Sequence, residues 1–187
     1  QQNAAVALGV LKAGRAEANT GTGSFVISAI DQPVFDNKAR VLCQASAIAG
    51  KWIMEAGIFN TGATYRWFKE RFCQDLNGDD VYDRLNNESS SSEVGANGVI
   101  MIPHFEGSAA PYWNPFAKGL FFNLSLKTTR GDMIRALMEG IAVEINDNIS
   151  LMEELTGRID RVSVAGGMVR SDLFCEIQSY IFDKEVA

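Results

Sequence analysis

Residues 19–24 read Asn19-Thr20-Gly21-Thr22-Gly23-Ser24 and lie between an alternating segment, residues 16–18, and an apolar run, residues 25–27. The pattern predicts a tight turn between two strands, of a size that fits a phosphate group. Its two glycines would let the backbone approach a phosphate, and successive N–H groups in such a turn form an anion-binding concavity. Thr20, Thr22 and Ser24 add hydroxyl donors. The stretch therefore predicts a phosphate-binding turn.

A second glycine turn, Ala165-Gly166-Gly167-Met168, follows an apolar segment near the other end of the chain. Two glycine turns on strand ends suggest one nucleotide held at both ends. Each turn alone has a simpler explanation, because glycine pairs are common in ordinary hairpins and at strand-to-helix corners. Gly21-Thr22-Gly23 is no dinucleotide fingerprint, since residue 26 is not glycine, and the chain contains no Gly-Lys-Ser/Thr phosphate loop.

The composition is that of an ordinary globular protein. Of the 187 residues, 47% are hydrophobic and 21% charged, which is enough for one core. A net charge of −6 argues against a nucleic-acid partner, and no apolar run is long enough for a membrane helix. The three cysteines, Cys43, Cys73 and Cys175, predict free thiols and a cytoplasmic protein, and a single histidine, His104, gives a zinc site little support.

The periodicity of apolar residues predicts a single α/β domain whose sheet begins as an antiparallel meander. The clearest element is a long helix. Thr129 and Asp132 have capping-box spacing at its start, an apolar stripe follows, and Gly157 ends it. Residues 75–97 are polar and serine-rich and predict a mobile loop after a short helix. The predicted helices are residues 1–11, 59–72, 81–85, 129–156 and 171–182. The predicted strands are two around the glycine turn, then 40–45, a short buried strand at 98–103, and 159–165.

Six short motifs resemble motifs of the C-terminal domain of the FGGY carbohydrate kinases, the family of glycerol, xylulose and gluconate kinases, and they follow one another along the chain in the family's order. The resemblance implies an actin-like ATPase (RNase H-like) domain, a mixed five-stranded sheet flanked by helices. It also implies that residues 1–187 are a C-terminal ATP-binding domain truncated at both ends. The matching motifs are Gln1-Gln2-Asn3-Ala4-Ala5, Asn19-Thr20-Gly21-Thr22-Gly23, Asn60-Thr61-Gly62-Ala63, Pro111-Tyr112-Trp113-Asn114-Pro115, Ala136-Leu137-Met138-Glu139-Gly140-Ile141-Ala142 and Gly166-Gly167.

The resemblance also implies roles for individual residues. Thr22 matches the threonine that meets the terminal phosphates of ATP, Gly62 lies against the phosphate chain, and Gly167 lies beneath the adenine and ribose. Arg66 and Ser171 stand where glutamine and asparagine are usual, and Asn123 stands where the family signature has glycine. The implied ATP-binding residues are Gly21, Thr22, Gly23, Gly62, Arg66, Gly166, Gly167 and Ser171.

The catalytic base of these kinases is an aspartate directly before the Gln-Gln pair, so this chain is expected to start one residue after it. Gln1 matches a residue that touches the polyol. The aspartates that hold Mg²⁺ are expected in an N-terminal kinase domain, which is an implied partner beside ATP or ADP and a small sugar or polyol. His104 is better explained as a residue that packs or hydrogen-bonds within its loop, Glu139 as a helix-face partner and Asp172 as a first-turn charge.

We therefore expect the chain alone to be inactive. The alternative from another class is a noncatalytic actin-like nucleotide-binding or assembly module. The sequence does not decide whether the protein forms a homo-oligomer, and it does not identify the carbohydrate.

Overall fold

The computed structural model describes residues 2–187 and consists of two sheets with helices around them. The helices are α1 (Gln2–Ala7), α2 (Gly62–Phe72), α3 (Val81–Ser90), α4 (Arg130–Thr156) and α5 (Asp172–Phe182). The strands are β1 (Arg15–Thr20), β2 (Ser24–Ile30), β3 (Leu42–Ala45), β4 (Trp52–Ile58), β5 (Ile100–Ile102), β6 (Leu120–Phe122), β7 (Arg161–Ala165) and β8 (Glu185–Val186).

The main sheet is mixed and has the strand order β3-β4-β2-β1-β7-β8. Its first half is antiparallel as expected, but the expected simple meander is wrong, because β4 lies between the consecutive strands β2 and β3. Strands β1, β7 and β8 pair in parallel. The expected count of five strands is wrong, because the sheet has six and the sixth is only two residues long. Asn19 and Ala165 are direct neighbours in the β1–β7 register. The two glycine turns therefore leave the same edge of the sheet, at the carboxyl ends of adjacent parallel strands.

Helix α4 packs across the sheet and carries the centre of the core. Both halves of the predicted capping box are present, since the Asp132 N–H donates to Thr129 Oγ1 at 3.1 Å and the Thr129 N–H donates to Asp132 Oδ2 at 2.8 Å. Burying each large apolar side chain of this stripe stabilises the fold by about 1.5–3 kcal/mol. The side chains of the stripe with no exposed surface are Ile134, Leu137, Met138, Ile141, Ile145, Ile149 and Met152.

Four predicted elements differ from the structure. Helix α3 runs to Ser90 rather than ending at residue 85, because Leu85 and Ser89 are fully buried where α3 packs on α4. The strand predicted at 98–103 is limited to β5, which pairs with β6 in a separate two-stranded sheet, and of its three residues only Met101 is buried. The first helix ends at Ala7, and α2 begins at Gly62 because β4, which the sequence did not predict, occupies the residues before it.

All three cysteines are free thiols, as predicted. Among the described residues, no helix combines the length and the hydropathy that a membrane crossing requires.

Candidate functional site

The turn between β1 and β2 is fixed by the start of α2. The N–H groups of Thr61 and Ala63 donate to the carbonyl of Thr22 at 3.1 and 3.0 Å, and that of Gly62 donates to the carbonyl of Gly21 at 3.0 Å. Neither Gly21 nor Gly23 adopts positive φ. The ordinary hairpin explanation of these glycines, which relies on positive φ, therefore does not apply.

Of the three hydroxyl groups predicted at this turn, two are used inside the protein. Ser24 Oγ lies 3.1 Å from Thr20 Oγ1 and 2.9 Å from Thr61 Oγ1, and none of these three residues has exposed surface. The Thr22 side chain is exposed instead. Thr22 is consequently the only one of the three that can donate its hydroxyl to a ligand.

Three glycines of the site are required by the packing of the chain itself. A Cβ on Gly23 would lie 2.5 Å from the carbonyl oxygen of Ile58. A Cβ on Gly62 would overlap the carbonyl oxygen of Gly21. Gly166 has a φ of 99°, and its Cβ would overlap the carbonyl oxygen of Thr20. Such distances are far inside van der Waals contact, so any side chain there would displace a backbone segment.

The other glycine of each turn faces open space. A Cβ on Gly167 would have no heavy atom within 4 Å, and the nearest atom to one on Gly21 is the carbonyl oxygen of Gly23 at 3.9 Å. Neither residue has positive φ. The fold does not need glycine at these two positions, and both border the same cavity.

That cavity has a volume of about 520 Å³, which is typical of small-molecule sites. Six of the eight candidate residues line it, whereas Gly23 and Gly166 only shape the turns behind it. Ser171 lines the cavity and also caps α5, because its Oγ accepts the N–H of Phe174 at 3.3 Å. The candidates at the cavity are Gly21, Thr22, Gly62, Arg66, Gly167 and Ser171.

The far wall of the cavity consists of Tyr65 on α2 and Tyr82 and Asn86 on α3, none of which was predicted as a site residue. The Tyr65 hydroxyl donates to Asn86 Oδ1 at 3.1 Å, and its ring meets the Tyr82 ring edge-on at 5.4 Å between centroids. Burial raises the pKa of Tyr65, so it stays a neutral donor. The sequence offered one weak signal, because Tyr82 and Asn86 lie four residues apart and share a helix face.

The charges that line the cavity balance. Arg66 and Arg170 face Asp79 and Asp83, and neither arginine forms an ion pair within the described part of the chain. A phosphate here would therefore meet the Thr22 hydroxyl and two guanidinium groups that form no ion pair with the described residues. Over residues 2–187, no group of three or more His, Cys, Asp or Glu side chains could hold a metal ion.

The remaining sequence candidates lie elsewhere. Glu139 pairs with Arg135 at 2.8 Å on α4, and Asp172 lies in the first turn of α5, as expected for structural charges. His104 is largely buried, which agrees with the packing alternative, but its hydrogen-bond partner is not in the loop: its Nε2 lies 2.9 Å from Oε1 of Glu144 on α4. Gln1 lies outside the described residues.

The comparisons with known proteins agree on one family. Residues 16–187 match the FGGY family of carbohydrate kinases, C-terminal domain. A gluconokinase of Bacillus licheniformis is 31% identical over 183 residues, which cover 94% of this chain and 36% of that protein. A glycerol kinase of Saccharolobus islandicus (strain M.14.25 / Kamchatka #1) is 32% identical over 177 residues, which cover 92% of this chain and 34% of that protein.

Solved structures agree on the fold. The xylulose kinase from Rhodospirillum rubrum aligns with a TM-score of 0.90 at 23% identity, covering 99% of this chain and 36% of that one. This likeness confirms the predicted actin-like ATPase fold. The chain spans only 36% and 34% of the lengths of the two curated relatives above.

Proposed function

Because the chain belongs to the FGGY family of carbohydrate kinases, we propose that it is the ATP-binding half of a sugar or polyol kinase. The whole enzyme would transfer the γ-phosphate of ATP to a hydroxyl group of a small carbohydrate such as glycerol, gluconate or a pentulose. The observation that carries the proposal is the pair of open glycines, Gly21 and Gly167, on one cavity. Ligands of open α/β sheets bind outside the carboxyl ends of the strands, which is where both turns lie.

In the proposed complex the nucleotide lies across both turns. The Thr22 hydroxyl donates to the terminal phosphates, and Gly21 leaves room for the phosphate chain. Gly167 leaves room for the ribose and the base, which would extend toward Tyr82 and Asn86 on the far wall. The exposed Arg66 side chain supplies positive charge that the usual glutamine would not.

The residues present do not fit a magnesium site, because no suitable cluster exists among residues 2–187. No step is assigned to a metal held by this chain. By family resemblance, the metal-binding aspartates would lie in the N-terminal kinase domain, and residues 1–187 would be the C-terminal ATP-binding domain.

The chain alone should not catalyse transfer. Phosphoryl transfer needs the nucleophile, the γ-phosphate and the leaving oxygen in line, together with a base near the attacking hydroxyl. Resemblance assigns that base to an aspartate before Gln1. Positioning between two domains contributes as much as about 7–11 kcal/mol to such a reaction. This contribution requires the opposing domain.

A coupled assay of ADP release over glycerol, gluconate, xylulose and ribulose tests the proposal. The full-length gene product should turn over one of these compounds, and the 187-residue chain should turn over none. In the full-length protein, replacing the aspartate before Gln1 with asparagine should abolish turnover and leave ATP binding nearly unchanged. A full-length protein that binds ATP and phosphorylates no carbohydrate would instead favour the noncatalytic module.

A further inference from the structure

A second cavity lies between α4, β5 and the segment 103–112, and it shares no lining residue with the nucleotide cavity. Its volume of about 370 Å³ is at the small end of the range for ligand sites. Tyr112, Ala136, Glu139 and Gly140 of the matching motifs line it, but the proposed kinase chemistry does not use it. Its walls combine apolar side chains, such as Ile102 and Val143, with carboxylates.

The deepest polar group in this cavity lacks a partner. Glu144 is 6% exposed, and its Oε1 lies 2.9 Å from His104 Nε2, but its Oε2 has no hydrogen-bond partner. A buried carboxylate oxygen without a partner costs more free energy than an unpaired neutral group. A ligand that brings a positively charged donor would satisfy this oxygen.

The other charges of the cavity favour the same class of ligand. Asp147 lies one turn along α4 from Glu144 and forms no ion pair within the described residues. Glu139 is already paired with Arg135, and no lysine or arginine is among the described residues that line the cavity. Burial raises the pKa of both Glu144 and Asp147, because nothing but His104 compensates their charge.

The remaining walls fit the apolar part of such a ligand. The ring of Tyr112 borders the cavity 6.2 Å from the ring of His104, and aromatic faces attract ammonium groups. The exposed side chains of Ile100 and Val143 lie at the same opening and would cover an aliphatic stem.

We propose that this cavity binds a primary alkylammonium ion, with Glu144 and Asp147 as its counter-charges and the β5–α4 side chains around its alkyl stem. The ammonium group would donate to Glu144 Oε2. A free amine and a lysine side chain of another protein present the same chemistry, so probes of both kinds belong in the test.

Calorimetry at about pH 8 should use pentylammonium, which stays charged there like a lysine side chain, and 1-pentanol as its neutral counterpart. Pentylammonium should bind and pentanol should bind at least about tenfold more weakly. Glu144→Gln should weaken pentylammonium binding at least about tenfold and Asp147→Asn about threefold, whereas Glu176→Gln, an exposed acid on α5, should have no effect. Gln can still accept from His104, so melting temperatures should stay close to that of the unmodified chain.

An Nα-acetyl-lysine amide titration distinguishes the two sources. Tighter binding than pentylammonium assigns the site to a lysine side chain, and weaker binding assigns it to a free amine. The proposal is overturned if neither ammonium probe binds, if pentanol binds as well as pentylammonium, or if Glu144→Gln binds pentylammonium unchanged. The last result would mean that Glu144 Oε2 accepts a hydrogen bond from water and not from an ammonium group.

Discussion

Gly167→Val should remove ATP binding without destabilising the chain. The structure separates the two reasons for a glycine at this turn, because positive φ occurs at Gly166 and not at Gly167. A Cβ at residue 167 would have no heavy atom within 4 Å, apart from its two chain neighbours. We therefore expect the free energy of unfolding to change by less than about 1 kcal/mol. The valine methyl groups would occupy the space that the ribose and base need.

Gly166→Ala is the matched control variant, and it should destabilise the chain without removing ATP binding. Its φ of 99° and the overlap of the new Cβ with the Thr20 carbonyl should strain the backbone. A strained residue of this kind costs about 1–3 kcal/mol. For a protein of this size, that lowers the melting temperature by roughly 2–12 °C. Residue 166 does not line the cavity, so the fraction that stays folded should still bind ATP.

Thermal melts with and without ATP measure both effects. A ligand at one hundred times its Kd stabilises the folded state by about 2.7 kcal/mol, which corresponds to a rise of roughly 5–11 °C here. The unmodified chain and Gly166→Ala should show this rise, and Gly167→Val should not. A Gly167→Val protein that melts early and keeps the full ATP shift would refute the assignment of Gly167 to the nucleotide.

Two further predictions concern single side chains. Thr22→Ala should weaken ATP binding by about 0.5–1.5 kcal/mol in calorimetry with magnesium, or by more if its partner is a charged phosphate. Ser24→Ala is the control: its hydroxyl contacts Thr20 and Thr61, so the variant should lower stability and leave ATP binding unchanged. Equal heats for Thr22→Ala and the unmodified chain would remove Thr22 from the site. Burial, opposed by no hydrogen bond to either carboxylate oxygen, raises the pKa of Glu17 from 4.5 to about 7, so the stability present below pH 4.5 is lost as the pH rises to about 7. The loss of stability amounts to about 3 kcal/mol. Urea unfolding at pH 4.5 and at pH 7 should show this loss in the unmodified chain and not in Glu17→Gln. An equal pH dependence in both proteins would contradict the raised pKa of Glu17.

The elements that the sequence predicted best are those fixed by local signals. Helix α4 is determined by the capping box at Thr129 and Asp132 and by an uninterrupted apolar stripe, and both were recognised. Strand β4 was missed although Met54, Ala56 and Ile58 are buried in alternation, because the residues at its centre, Glu55, Ala56 and Gly57, are types that strands disfavour. The end of α3 depends on its packing against α4, which no local pattern contains.

The same limit applies to the site. The turns at residues 19–24 and 165–168 were recognised, because glycine and hydroxyl residues mark such turns in the sequence. The far wall was not, since the positions of Tyr82 and Asn86 relative to the turns depend on how α3 lies against the rest of the chain. That the Thr20 and Ser24 hydroxyls face inward follows from the β1–β2 register together with Thr61, a residue that is distant in sequence.

Each turn contains one glycine that the fold requires and one that it does not. Gly23 and Gly166 are held against backbone carbonyls, so selection for a stable fold is enough to keep them. Gly21 and Gly167 have free space on the cavity side, and an alanine there would cost the fold little and could even stabilise it by restricting the unfolded chain. A glycine at such a position is explained by a ligand that needs the same volume. Because β1 and β7 are adjacent parallel strands, the two open positions border one site, and a single nucleotide accounts for both.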